Sequence, residues 1–145
     1  MSVGVEVVQH PTQEVVEAFG RLLPQLSTSA KPLDHEAVGR LVRCDSNVVL
    51  VARVAGDIVG TLTLLLLPLP SGLRARVEDV VVDRSARGQG VAGALTRHAL
   101  GLARDAGART VDLTSRPDRE TANRMYERLG FTARESTVYR FPMGH

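Results

Sequence analysis

"VVVDRSARGQGVAGAL", residues Val80–Leu95, joins a Val-rich run to an Ala- and Leu-rich one through three glycines. How this stretch is read decides the fold. Taken literally, Gly88-Gln89-Gly90-Val91-Ala92-Gly93 satisfies G-x-G-x-x-G, the dinucleotide-binding fingerprint. That fingerprint needs its first glycine almost at the strand end and an acidic residue about 20 positions on to hold a ribose. Here Asp83–Arg87 intervene between the strand and Gly88, and the acid at a suitable distance, Asp112, falls inside the next predicted strand. No Gly-Lys-Ser/Thr follows, so a Walker loop is excluded as well. The physics of the loop survives both rejections. Glycines between a strand and a helix allow positive φ and close approach to the backbone. The helix start then offers free N–H groups at a positive dipole end, which suits a phosphate or pyrophosphate. Arg87 at the lip adds charge.

Around this loop the chain has the size of one domain, with 145 residues of which 43% are hydrophobic. The one cysteine, Cys44, can form no internal disulfide, which predicts a reducing, cytoplasmic setting. The N-terminal stretch has no basic region followed by a long apolar run, and the apolar run Leu64–Leu67 is far too short to span a bilayer. Neither a membrane nor a nucleic-acid partner is therefore expected. The 18 basic residues are scattered among 16 acids for a net charge of +2, and no basic stripe is formed. His10, His35, His98, His145 and Cys44 show no metal-ligand spacing, so no metal is expected. His98 falls on the apolar side of its helix, as a packed histidine would.

Periodicity predicts strands over 3–8, 47–54, 58–67 and 76–82, helices over 12–26 and 34–44, and a helix over 91–106 stopped by Gly107. Ala55-Gly56-Asp57 signals a hairpin, and Pro24 should kink or end the first helix. "PLPSGLRA", 68–75, reads as a break in regular structure. A strand over 109–114 follows, then a helix capped by Asp118 and ended by Gly130, and two last strands over 131–134 and 137–141. One α/β domain spanning 1–145 results, with about four helices against a mixed sheet.

Two stretches carry a resemblance. Arg87, Gly90 and Ala92 match the Arg/Gln-x-x-Gly-x-Gly/Ala signature that follows a Val-rich strand in the GNAT superfamily of acetyl-coenzyme A-dependent N-acetyltransferases. "ANRMYERLGF", 122–131, resembles that family's helix ending in Tyr-Glu-x-Leu-Gly-Phe. The resemblance is convincing over 76–141 and rests on element order alone in the N-terminal half. It implies a mostly antiparallel sheet splayed between its fourth and fifth strands. It also implies acetyl-coenzyme A as donor, a small-molecule or peptide amine as acceptor, and a homodimer as a common assembly. The pantetheine arm would lie along Val80, Val81 and Val82, and the pyrophosphate on Arg87, Gly88, Gln89, Gly90, Val91 and Ala92. Many relatives carry Asn seven residues before the tyrosine, where this chain has Arg119. "VEDVVVD", 77–83, further resembles glucosamine-phosphate acetyltransferases within the superfamily, a hint that does not commit the acceptor to a sugar.

Acetyl transfer to an amine needs a base, because amines of pKa about 8–10.4 arrive protonated. Glu78 and Asp79 are the acids on the flanking strand before its end, and Glu78 is the favoured base. Strict alternation would put Glu78, Val80 and Val82 on one face and Asp79 and Val81 on the other. The plainer reading of Glu78 is a structural carboxylate paired with Arg76 or Arg124. The resemblance assigns the Val80 N–H to the developing oxyanion and Tyr126 to protonation of the leaving thiolate, while Tyr126 equally fits a core aromatic. Thr114 and Ser115 either touch the cofactor or are ordinary strand-end hydroxyls. Arg74 and Arg76 either favour an anionic acceptor or form a solvated charge pair. The resemblance implies that the acceptor is set by the 27–34 and 68–75 regions and the first two helices, which carry no decisive group. A non-catalytic acyl-coenzyme A sensor or regulatory module on the same fold is the alternative function; it would keep the glycine loop and need neither Glu78 nor Tyr126.

Overall fold

The computed structural model describes residues 2–145. Its elements run β1 (Val3–Val7), α1 (Gln13–Leu26), α2 (His35–Arg43), β2 (Asn47–Val54), β3 (Asp57–Leu69) and β4 (Gly72–Val82). A one-turn 3-10 helix (Arg84–Ala86), α3 (Val91–Asp105), β5 (Val111–Asp112) and α4 (Glu120–Arg128) follow. The five strands form one sheet in chain order, antiparallel up to β4 and parallel between β4 and β5. Contacts divide the chain into a compact unit ending at Thr114, which holds the sheet and α1–α3, and a second unit, Ser115–His145, which holds α4.

Sequence chemistry accounts for most element ends. Thr12 and Asp34 cap α1 and α2, their side-chain oxygens accepting from the Val15 and Ala37 N–H groups at 3.3 and 2.8 Å. α1 continues two residues past Pro24. Ala55 and Gly56, with φ of 51° and 87°, make the two-residue turn of the β2–β3 hairpin. The 68–75 stretch does not break the sheet as expected. β3 runs through Pro68 to Leu69, and Gly72, at φ 117°, turns the chain directly into β4. A proline is tolerated there because it lies near the strand's end.

Both faces of the sheet are covered. On one, Val91, Leu95, Ala99 and Ala103 of α3 pack against Leu50, Leu62, Leu64, Ala75 and Val77. On the other, Val15, Ala18, Phe19, Leu22 and Val38 of α1 and α2 pack against Val49, Val51, Ile58 and Val81. Toward the apolar end of β3, Leu62 and Leu64 are fully buried, Leu65–Leu67 partly so, and Leu69 is exposed. His98 is exposed on α3 rather than packed, and Cys44 is exposed too.

Four expectations fail in the C-terminal third. The strand over 109–114 is reduced to Val111–Asp112, which pair with Ala75 and Arg76. Arg119, not Asp118, occupies the N-cap of α4, and no side chain caps it. The two last strands do not form, because an alternating apolar pattern becomes a strand only with a partner edge. Val138, Tyr139, Phe141 and Met143 of that segment are exposed accordingly.

Candidate active site

β4 carries the first feature of the site. Its register against β3 passes from Thr61↔Val81 to Thr63↔Glu78, so Asp79 and Val80 stand opposite a single residue and form a β-bulge. Asp79 adopts φ 51°, a left-handed conformation that a short carboxylate side chain tolerates. The bulge overturns the alternation expected from the sequence. Glu78 and Asp79 both border the α1–α2 face, where Val81 is also buried, while Val80 and Val82 pack with the α3 cluster. Two consecutive carboxylates thus share one side.

They look into a cleft of about 400 Å³ between α1, α2 and the sheet. Phe19, Leu23, Leu33, Leu41, Val42 and Leu65 supply most of its wall, and Thr63 and Asn47 add polar atoms. Desolvation pushes the Asp79 carboxyl above its usual range, and the neighbouring Glu78 charge pushes the same way. Glu78 is held by Arg76, whose Nε donates to Oε2 at 2.7 Å. The same guanidinium donates through Nη2 to Thr114 Oγ1 at 2.6 Å, tying β4 to the chain just after β5. Arg124 instead faces Glu120 within α4, at 4.0 Å. Arg74 reaches Thr110 Oγ1 and Ser71 Oγ at 3.3 and 3.4 Å.

The second feature is the edge of β4. Pairing with β5 ends at Arg76↔Asp112, and among the described residues no strand pairs with Val77–Val82 on that side. The sheet is open there, with backbone groups of the Val80–Val82 run free to bind an extended ligand.

The third is the glycine loop. Asp83 Oδ1 accepts from both the N–H and the hydroxyl of Ser85 at 3.0 Å, which lowers the Asp83 pKa. The Arg84 N–H is held by Gln25 Oε1 of α1 at 3.0 Å. Beyond this anchor Arg87, Gly88, Gln89 and Gly90 are exposed. Gly88 and Gly90 sit at φ 79° and 78° with nothing within 4 Å of an added Cβ, so conformation rather than space demands glycine. Gly90 is the N-cap of α3 and offers no side chain to it. The first bond into the helix runs from the Ala94 N–H to the Gly90 carbonyl at 3.0 Å, which leaves the N–H groups of Val91, Ala92 and Gly93 without helical acceptors. Free N–H groups, a positive dipole end and Arg87 suit an anion such as a phosphate or pyrophosphate.

In the second unit, Tyr126 is buried on α4 and meets Phe131 edge-on, with ring centroids 5.7 Å apart. The Phe131 N–H donates to the Tyr126 carbonyl and the Gly130 N–H to the Glu127 carbonyl, both at 3.0 Å, with Gly130 at φ 106°. This is a Schellman closure, and it places the Phe131 ring on the tyrosine. Burial raises the Tyr126 pKa against a weaker opposing pull from Arg119, so its phenol keeps its proton at neutral pH. Ser115 Oγ is buried without a hydrogen-bond partner among the described residues.

Sequence reasoning missed the cleft wall, because Leu23, Val38 and Leu41 carry the same helical apolar pattern whether they line a core or a cavity. Comparison with known proteins agrees with the geometry. A glucosamine 6-phosphate N-acetyltransferase of Trypanosoma brucei brucei is 34% identical over 116 residues, covering 74% of this chain and 77% of that protein. An N-alpha-acetyltransferase 30 of Schizosaccharomyces pombe is 36% identical over 69 residues, 48% of this chain, which spans only 45% of that relative's length. A transcriptional regulator from Bacillus halodurans C-125 superposes with a TM-score of 0.79 at 27% identity, covering 97% of this chain and 99% of that one. The family model described as acetyltransferase (GNAT) family matches residues 13–131. That match spans most of the chain and takes in β4, the glycine loop and α3, and this chain belongs to the GNAT acetyltransferase family.

Proposed function

We propose that this chain, working as one domain over 1–145, moves an acetyl group from acetyl-coenzyme A to a primary amine by direct transfer in a ternary complex. The observation that carries the reading is the bulge at Asp79–Val80. It turns two carboxylates into the cleft while the same strand keeps a free edge and leads into the α3 anion site. Acetyl-coenzyme A, when bound, supplies the acetyl group as a thioester and departs as a thiol. Val80–Val82 hold its extended arm along the β4 edge, and the loop from Arg87 to Ala92 holds its pyrophosphate; Thr114 and Ser115 border the arm. Glu78 accepts the proton that the attacking amine loses, and Arg76 fixes the carboxylate for that step. The Val80 N–H donates to the carbonyl oxygen as charge develops there. Tyr126, protonated at neutral pH, gives its proton to the sulfur as the C–S bond breaks and the C–N bond forms. The lone Cys44 supports a cytoplasmic setting.

A regulatory, non-catalytic reading is favoured by one observation, the transcriptional regulator among the structural neighbours. The Tyr126→Phe variant separates the two. It keeps the ring against Phe131, so acetyl-coenzyme A binding should persist while amine-dependent thiol release falls by about 10²–10⁴-fold. Unchanged turnover would remove the acid role from Tyr126. Wild-type protein that binds acetyl-coenzyme A and releases no thiol with any amine would favour the regulator.

A further inference from the structure

The cleft has a chemistry that narrows the acceptor. At about 400 Å³ it falls in the range of small-ligand pockets and is walled mainly by Phe19, Leu23, Leu33, Leu41, Val42 and Leu65. Among the described residues that line it, the charged ones are Glu78 and Asp79, and none is Arg, Lys or His. The two cations on the same strand are engaged elsewhere: Arg76 through Nε with Glu78 and through Nη2 with Thr114, and Arg74 with Thr110 and Ser71.

We propose that the acceptor is a small primary amine on an apolar aliphatic or aryl body that bears no anionic group, its ammonium head held by Glu78 and Asp79 and its body by the leucine-rich wall. This inference rests on the acetyltransferase reading and specifies its substrate class. Charge complementarity supplies the first half. An ammonium group approaching two adjacent carboxylates is favoured, whereas a phosphate or carboxylate on an acceptor seated in this cleft would face like charge, with no cation among the residues that line it. The wall supplies the second half. Sugar hydroxyls or peptide amides seated against the leucine-rich wall would lose water and find few partners, since the uncharged polar side chains of the cleft are Asn47, Thr61 and Thr63. A glucosamine 6-phosphate N-acetyltransferase is among this chain's relatives, so the cleft assigns this chain an acceptor unlike the one that relative's name states.

The test is steady-state thiol release with acetyl-coenzyme A and a panel of phenethylamine, n-hexylamine, glucosamine 6-phosphate and a short peptide with a free α-amine. Phenethylamine or hexylamine should exceed glucosamine 6-phosphate in kcat/KM by at least about a hundredfold. Leu41→Arg, at a half-exposed wall position, should raise the phenethylamine KM by about tenfold and leave the acetyl-coenzyme A-induced thermal shift intact. Glucosamine 6-phosphate as the best acceptor, turnover confined to the peptide, or a KM indifferent to Leu41→Arg would each overturn the proposal. An intact acetyl-coenzyme A shift in those cases leaves the acetyltransferase reading standing. Loss of that shift in the wild type defeats the reading itself.

Discussion

Asp79 combines three unfavourable conditions in one residue: a left-handed φ of 51°, partial desolvation and a charged neighbour, Glu78. Strain and charge concentrated at one point of a strand are tolerated where the surroundings hold them and a function uses them. Removing the charge should stabilise the fold. The native Asp79 pKa is raised, so the stabilisation tied to its proton is lost as pH climbs through that pKa, and at neutral pH the ionised form is a liability. Asp79→Asn should therefore raise Tm at pH 7, an advantage that fades as pH falls through the raised native pKa and is gone below the unfolded value of about 3.9, where the carboxyl is protonated in both states. Asn also tolerates the left-handed backbone. The same variant should raise the KM for the amine; thermal unfolding across pH and initial rates check the two halves. None of this was legible in "VEDVVV". A bulge inserts one residue into the pairing, and a string of β-formers looks the same with or without it.

Elements bounded by local chemistry were the legible ones. Thr12, Asp34, Gly107 and Gly130 mark helix ends through side-chain caps or positive φ, and each does so within its own turn. Elements that depend on a distant partner were not. β5 shrinks to two residues, and the 131–141 segment has strand composition without a strand. Gly130 shows what a local device controls. An alanine there must hold φ near 106°, which costs about 1–2 kcal/mol and loosens the closure that seats Phe131 on Tyr126. Gly130→Ala should lower Tm and kcat together, and Gly130→Asn should recover part of the Tm loss. Circular dichroism melts beside initial rates decide it; an unchanged melt for Gly130→Ala would mean the closure contributes nothing.

At the scale of the molecule, the arrangement follows from a sheet buried on both faces and left open along one edge. α3 covers one face and ends the loop where an anion fits; α1 and α2 cover the other and leave a cleft at the bulge. That Glu78, the Val80–Val82 run and the Arg87–Ala92 loop follow one another along a strand, a loop and a helix start was legible because the glycine pattern and the Val-rich run are contiguous in sequence. The cleft wall was not, since it assembles from three separate stretches of chain. The measurement that bears most directly on the central claim is the thermal unfolding midpoint with acetyl-coenzyme A, coenzyme A and NADH added separately. A ligand bound only by the native state at about 100 times its Kd adds roughly 2.7 kcal/mol. That is worth several degrees for a chain of this size. Acetyl-coenzyme A and coenzyme A should each raise Tm by that amount and NADH should leave it unchanged. A shift with NADH, or none with either coenzyme A species, would contradict the assignment of the glycine loop.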